Sequence, residues 1–175
     1  KLLREVSFDI ECSLFKEKYI IDNHVFVAGL ARSGSTAILN AIHETKKFAS
    51  LSYDDMPFVL SPNLWSLMSG HKKHSKKIER AHGDGILVST ESPEAFEEVF
   101  WKTFDEFDHE SIIGFRKYVS LILKKYKKTR YLSKNNQNIG RLNLISSIFP
   151  KSKILVPFRD PLQHSFSLLT QHKKF

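Results

Sequence analysis

Apolar residues in this chain fall into two patterns, short continuous runs and spacings of three or four. Val25 to Gly29 is a near-continuous apolar run, as expected of a parallel strand buried on both faces. Thr36 to Thr45 fits a helix, with Ile38, Leu39 and Ile42 on one face. Phe48 to Tyr53 reads as a second strand. Leu60 to Ser69 reads as a helix with Pro62 in its first turn. Gly83 to Ser89 contains a short strand, Ile86-Leu87-Val88. Ser92 suits the N-cap of a helix over Pro93 to Phe104. Ile112 to Tyr126 is the clearest amphipathic helix, with Ile112, Phe115, Val119, Ile122 and Tyr126 at helical steps. Arg130 to Ser133 is a short strand, and Asn138 to Phe149 a helix ended by Pro150. Lys153 to Phe158 reads as a buried strand despite Pro157. Helical pattern resumes at Pro161. Residues 1 to 23 carry a poor signal, a strand or short helix leading in. Strands alternating with helices predict an α/β domain, a three-layer, mostly parallel sheet flanked by helices. Ligands of such sheets bind at the carboxyl ends of strands. The loops after Gly29, Ser133 and Phe158 therefore matter most.

The 175 residues suffice for one domain with its own core, to which fourteen Phe contribute. The single Cys12 excludes an intramolecular disulfide and fits a reducing compartment. No apolar run approaches the ~20 residues that span a bilayer, and the first residues lack a signal peptide's apolar core. A cytoplasmic location is expected. The sequence begins without Met and stops in a helical pattern at Lys173-Lys174-Phe175, so a single domain truncated at its C-terminus is expected. The formal net charge of +8 favours anionic ligands: nucleotides, acidic glycans, lipid head groups or nucleic acid. Two runs hold much of the excess, His71 to Lys77 and Lys124 to Lys128. No zinc-finger spacing or nucleic-acid-binding aromatic pattern accompanies them. A solvated helix end or loop is the plainer explanation of both.

The loop after Gly29 carries the strongest chemical signal. It reads Leu30-Ala31-Arg32-Ser33-Gly34-Ser35-Thr36 and opens onto a helix. Strand, small-residue loop and helix N-terminus together make a cradle for a phosphate-like anion. Gly29 and Gly34-Ser35-Thr36 keep the spacing of a P-loop, but Ser35 stands where the P-loop has lysine. Arg32 is the loop's cation. Such a loop holds an anion yet is badly equipped to hydrolyse ATP. The alternative is a tight turn that happens to be rich in Gly and Ser.

In the third loop, Arg159-Asp160-Pro161 follows a strand and starts a helix, and Ser167 lies eight residues after Arg159, about two turns on. Arg159 is a natural bidentate phosphate ligand; an ion pair with Asp160 is the plainer alternative. Lys134 ends the middle strand, where it could neutralise charge between the two anion sites or simply lie on the surface. Two anion sites at neighbouring strand ends suit a nucleotide with phosphates on both sides of its nucleoside.

These motifs resemble those of the sulfotransferases that use 3′-phosphoadenosine 5′-phosphosulfate. The family's 5′ loop, a basic residue followed by S-G-T-T, is matched by Arg32-Ser33-Gly34-Ser35-Thr36. Its 3′-phosphate motif, R-[DN]-P with a later Ser, is matched by Arg159-Asp160-Pro161 and Ser167. A Lys-strand motif is matched by Lys134 to Asn138, and an F-P-x-[AS]-K-[IF] motif by Phe149 to Ile154. The resemblance covers Val25 to Gln171. It implies a P-loop-like fold, 3′-phosphoadenosine 5′-phosphosulfate as cosubstrate and no metal. Ser33, Gly34, Ser35 and Thr36 would hold the 5′-phosphosulfate, and Arg159 and Ser167 the 3′-phosphate. Arg32 would stabilise charge on the sulfuryl group, which passes to a hydroxyl or amine of a glycan, lipid or small molecule.

A hydroxyl acceptor needs a base. Some relatives carry His where this chain has Asn138, which cannot serve. Asp55, in Asp54-Asp55 beside an apolar segment, is the first choice, followed by His82 and Glu91. A helix-capping role suits Asp55 equally. The late glycine-rich segment that covers the nucleotide in cytosolic relatives is absent. Competing readings are a P-loop-type nucleotide kinase, a non-catalytic nucleotide-binding domain, and a heparin-like or nucleic-acid-binding module using the lysine runs.

Overall fold

The computed structural model describes residues 1–15, 23–69, 78–79, 87–104 and 109–173. Helices and strands follow in the order α1 (Leu2–Leu14), β1 (Val25–Val27), α2 (Ser35–Glu44), α3 (Pro62–Ser69), β2 (Ile78–Glu79), β3 (Leu87–Val88), α4 (Glu98–Thr103), α5 (His109–Tyr126), β4 (Leu132–Lys134), α6 (Leu142–Ile148), β5 (Lys153–Leu155) and α7 (Pro161–His172). Short 3-10 turns lie at Tyr53–Asp55 and Asn136–Gly140.

β1 is the central strand of a parallel sheet ordered β4-β1-β5. Val25, Phe26 and Val27 lie opposite Leu132, Ser133 and Lys134 on one side and Lys153, Ile154 and Leu155 on the other. All three β1 residues are buried, as the apolar run predicts, because alternate side chains enter different layers. Val25, Val27 and Leu132 pack with Leu39, Ile38 and Ile42 of α2. Phe26 faces the other way, into the cluster of Phe115, Tyr118 and Ile122 of α5 and Ile145 and Ile148 of α6. The sheet thus lies between two helical layers. Much of the second layer is aromatic: Phe100 packs within 4.8–5.7 Å, centroid to centroid, of Phe8, Trp101, Phe104, Phe115 and Tyr118.

The leading segment is a helix. α1 is tied down by Glu11, which is buried and accepts from the Asn63 and Leu64 backbone N–H groups at 2.7 and 3.0 Å. A carboxylate from α1 so satisfies the otherwise unpaired first turn of α3.

Four sequence expectations change. Of the strand expected over Phe48 to Tyr53, Ala49 makes one parallel bridge to the sheet, to Tyr131, before Ser52 pairs with Pro93 and Tyr53 opens the 3-10 turn. That second pairing, with the Glu94 N–H donating to the Leu51 carbonyl at 3.1 Å, holds residues 93–94 extended and delays α4 to Glu98. Ser92 therefore accepts from the Ser89 N–H at 2.9 Å instead of capping a helix. The helix expected over Asn138 to Phe149 divides, because Asn138 turns inward in the 3-10 segment and α6 starts at Leu142. Finally, β5 is short and half-exposed: it pairs with β1 alone among the described residues, and Leu155 and Phe158 are 36% and 88% exposed. The strand at 87–88 pairs with β2 and lies outside the main sheet.

Candidate functional site

The carboxyl end of β1 is clamped between its neighbours. The Ala28 N–H donates to the Leu155 carbonyl at 2.9 Å, and the Asn135 N–H to the Val27 carbonyl at 3.1 Å. The loop turns at once at Gly29. A Cβ there would lie 2.9 Å from both Pro157 Cγ and Ser33 Oγ, closer than real Cβ atoms come, so only glycine fits. The Ser33 hydroxyl donates to the Leu30 carbonyl at 2.7 Å and rounds the loop. Arg32 holds φ at +67°, in the left-handed region that non-glycine residues occupy at a cost of about 1 kcal/mol or more. Gly34, at φ +90°, is the N-cap of α2. It has no side chain with which to cap, so the first-turn N–H groups of α2 receive nothing from that position. Ser35 is buried and Thr36 half-buried behind them.

The third loop meets the first. Asp160 caps α7, accepting from the Gln163 N–H at 3.0 Å, with Pro161 at the first helical position. Its carboxylate is therefore committed to the helix. Arg159 is exposed and makes no ion pair or hydrogen bond with the described residues. From α7, Ser167 accepts a hydrogen bond from Arg32 Nε at 3.0 Å, and His164 Nε2 lies 2.6 Å from the Ala31 carbonyl oxygen. The loop after β1 and the helix after β5 are joined at two consecutive residues. Among the described residues, Arg32, Ser33, Gly34, Ser35, Thr36, Arg159 and Ser167 line one end of the sheet. Lys134 ends β4 on the same side, in register with Val27, and is half-buried.

The proposed bases fare differently. Asp55 is wholly buried. One oxygen meets Lys125 Nζ at 2.5 Å; the other accepts from the Tyr126 hydroxyl at 2.6 Å and the Ser52 N–H at 2.7 Å. Burial and the adjacent Asp55 carboxylate push the Tyr126 phenol far up. Asp55 closes a capping box with Ser52 and pins the 3-10 turn to α5. Burial and these partners suit the helix-capping alternative rather than a base. His82 lies outside the described residues. Glu91 is exposed and lines a groove of about 330 Å³ with His43, Lys46, Ser50 and Lys128 beside the extended segment at 48–52. Burial, and then Lys46, hold the His43 imidazole below its usual range.

Two acids that the sequence reading passed over stand behind Lys134. Burial raises the Glu97 carboxyl, which accepts from the Tyr131 hydroxyl at 3.1 Å and from Asn138 Nδ2. Burial would raise Glu98 also, but hydrogen bonds from Arg141 and Asn135 bring it below the usual range. Together they fix the turn that follows β4. The Glu-Glu pair opening an aromatic-rich helix was the available signal. Asn138 is wholly buried and joins this network through its Nδ2.

The lysine run at 124–128 disperses. Lys125 is 14% exposed on Asp55, Lys124 lies over the Phe15 ring, and Lys128 donates to the Lys46 carbonyl. The run at 71–77 lies outside the described residues. Among the described residues no helix is long and apolar enough to cross a membrane, and no group of three His, Cys, Asp or Glu side chains is placed to hold a metal.

Comparison with known proteins gives the same frame. The chain matches the solved sulfotransferase STF1 of Mycobacterium tuberculosis with a TM-score of 0.58 at 15% identity, over 90% of this chain and 52% of that one. Sulfotransferase STF9 of Mycobacterium avium matches with a TM-score of 0.54 at 14% identity, over 97% and 50%. The chain thus spans about half the length of these structures, whose P-loop-like α/β fold it shares. No curated protein matches the sequence. The family model described as "Sulfotransferase family" matches residues 24–174, which includes both loops, and the chain belongs to that family.

Proposed function

We propose that this protein transfers a sulfuryl group from 3′-phosphoadenosine 5′-phosphosulfate to a hydroxyl or amine of a glycan, lipid or small-molecule acceptor, in the cytoplasm. The observation that carries the reading is the 3.0 Å contact from Arg32 to Ser167, which joins an anion loop after one strand to an anion-binding helix after the neighbouring strand. A nucleotide with phosphates at both its 3′ and 5′ positions spans such a pair; a nucleoside triphosphate needs only the first. The residues fit it. The cradle is floored by a glycine that no larger residue can replace, α2 presents an N-terminus its N-cap leaves open, and Arg159 is unpaired among the described residues.

The donor supplies an activated sulfuryl group; the chain supplies position and charge. Ser33, Gly34, Ser35 and Thr36 hold the 5′ end with backbone N–H groups and hydroxyls. Arg159 and Ser167 hold the 3′-phosphate. Arg32 and Lys134 stabilise negative charge that grows on the sulfuryl oxygens and the leaving phosphate. One such contact is worth about 3 kcal/mol in a transition state. Ser35, in the P-loop lysine position, fits sulfuryl transfer better than ATP hydrolysis. Glu91 and His82 remain as bases for the acceptor hydroxyl.

The test is incubation with donor labelled in its sulfuryl group and a panel of hydroxyl and amine acceptors. Label reaches at least one acceptor with the protein, and about 10²–10³-fold more slowly with Arg32→Ala. Transfer of a phosphoryl group from ATP instead, with no sulfuryl transfer, would favour the kinase reading.

A further inference from the structure

We infer that His164 is a positioning residue of the nucleotide site, one that sets the loop peptide between Ala31 and Arg32 and couples the two ends of the ligand. This rests on the reading given above.

His164 and Ser167 are three residues apart on α7, and so share a face of the helix. That face meets two consecutive loop residues: His164 Nε2 is 2.6 Å from the Ala31 carbonyl oxygen, and Ser167 Oγ is 3.0 Å from Arg32 Nε. A carbonyl oxygen can only accept, so Nε2 carries the proton. A peptide is planar and trans, so holding the Ala31 carbonyl toward α7 turns the Arg32 N–H away from it. Arg32 also sits in the left-handed region, which a loop does not adopt without something to hold it there. His164 acts on the peptide just before that residue, and Ser167 on its side chain.

α7 itself has no buried residue. Two polar contacts tie it to the loop, so its position and the loop's shape are set together. A ligand whose 3′-phosphate engages Arg159 and Ser167 fixes α7. Through His164, it also fixes the peptide that shapes the 5′ cradle. The two ends of the ligand then bind better together than apart.

The experiment titrates the wild-type protein, His164→Ala and His164→Gln with adenosine 3′,5′-bisphosphate, adenosine 5′-monophosphate and adenosine 3′-monophosphate. Thermal unfolding is recorded for each protein. With alanine, the 5′-monophosphate should bind about tenfold more weakly and the 3′-monophosphate should change less than about twofold, while the bisphosphate should lose more than the two combined, roughly thirtyfold or more, because the coupling between its ends is lost as well. Glutamine can donate to the same carbonyl and should recover much of the loss. Equal loss of all three ligands in both variants would make His164 a merely structural residue and overturn the inference. So would unchanged binding of all three. Failure of the wild type to bind the bisphosphate would instead overturn the sulfotransferase reading on which the inference rests.

Discussion

Arg32, in the loop after β1, donates from Nε to the hydroxyl of Ser167, 135 residues further along the chain, at 3.0 Å. The two residues belong to opposite ends of the proposed nucleotide site, and this bond makes them one structure. They should nevertheless fail differently when removed. Arg32→Ala should lower kcat by about 10²–10³ with a smaller change in nucleotide affinity, because its charge matters most in the transition state. Ser167→Ala should weaken adenosine 3′,5′-bisphosphate by roughly tenfold, with a smaller effect on kcat. Steady-state kinetics with calorimetric titration separates the two patterns.

Gly29 should tolerate no substitution. Alanine would drive a methyl against the Pro157 ring and Ser33 Oγ, each at 2.9 Å. The proline ring cannot swing aside, so the loop must shift. The expected cost is about 1–3 kcal/mol of stability, read as a lower Tm, together with weaker bisphosphate binding. Gly34→Ala has open space around it but inherits φ +90°, and should lose about 1 kcal/mol through strain alone.

Asp55→Asn distinguishes a structural carboxylate from a base. The change leaves Lys125, 14% exposed, facing a neutral amide. Breaking a buried pair costs about 3–5 kcal/mol, so Tm should fall by roughly 10 °C. Turnover per folded molecule should persist at a temperature where the variant is folded. Loss of turnover with unchanged Tm would restore Asp55 as the base.

Glu97 should impose a pH dependence on stability. Burial raises its carboxyl above the usual 4.5. The unfolded chain therefore releases this proton at a lower pH than the folded one. Between those two values the folded state binds more protons, and its stability falls as pH rises. Glu97→Gln removes this term. Thermal denaturation from pH 4.5 upward should show wild type losing ground to the variant. A Tm difference independent of pH would refute the assignment.

Much of this was legible in the sequence, for identifiable reasons. The run Val25 to Gly29 and the helices after Gly34 and Asp160 are local patterns, and local patterns fix where both loops begin and end. The spacing of Arg159 and Ser167 could be read directly because helix geometry converts it into a shared direction. What was not legible depends on distant partners. Nothing near Asp55 in sequence announces that Lys125 and Tyr126 will enclose it. Pro93 looked like a helix start until Ser52 claimed it for an extended pairing. His164 gave no signal at all, since its hydrogen bond among the described residues is to a loop carbonyl 133 residues away.

The most direct test of the two-ended site is calorimetric titration of the protein with adenosine 3′,5′-bisphosphate and with ADP, for wild type and Arg159→Ala. The account predicts that wild type prefers the bisphosphate by at least about tenfold, and that Arg159→Ala abolishes the preference while leaving ADP affinity little changed. Equal affinity for the two nucleotides in wild type, or a preference for ADP, would contradict it.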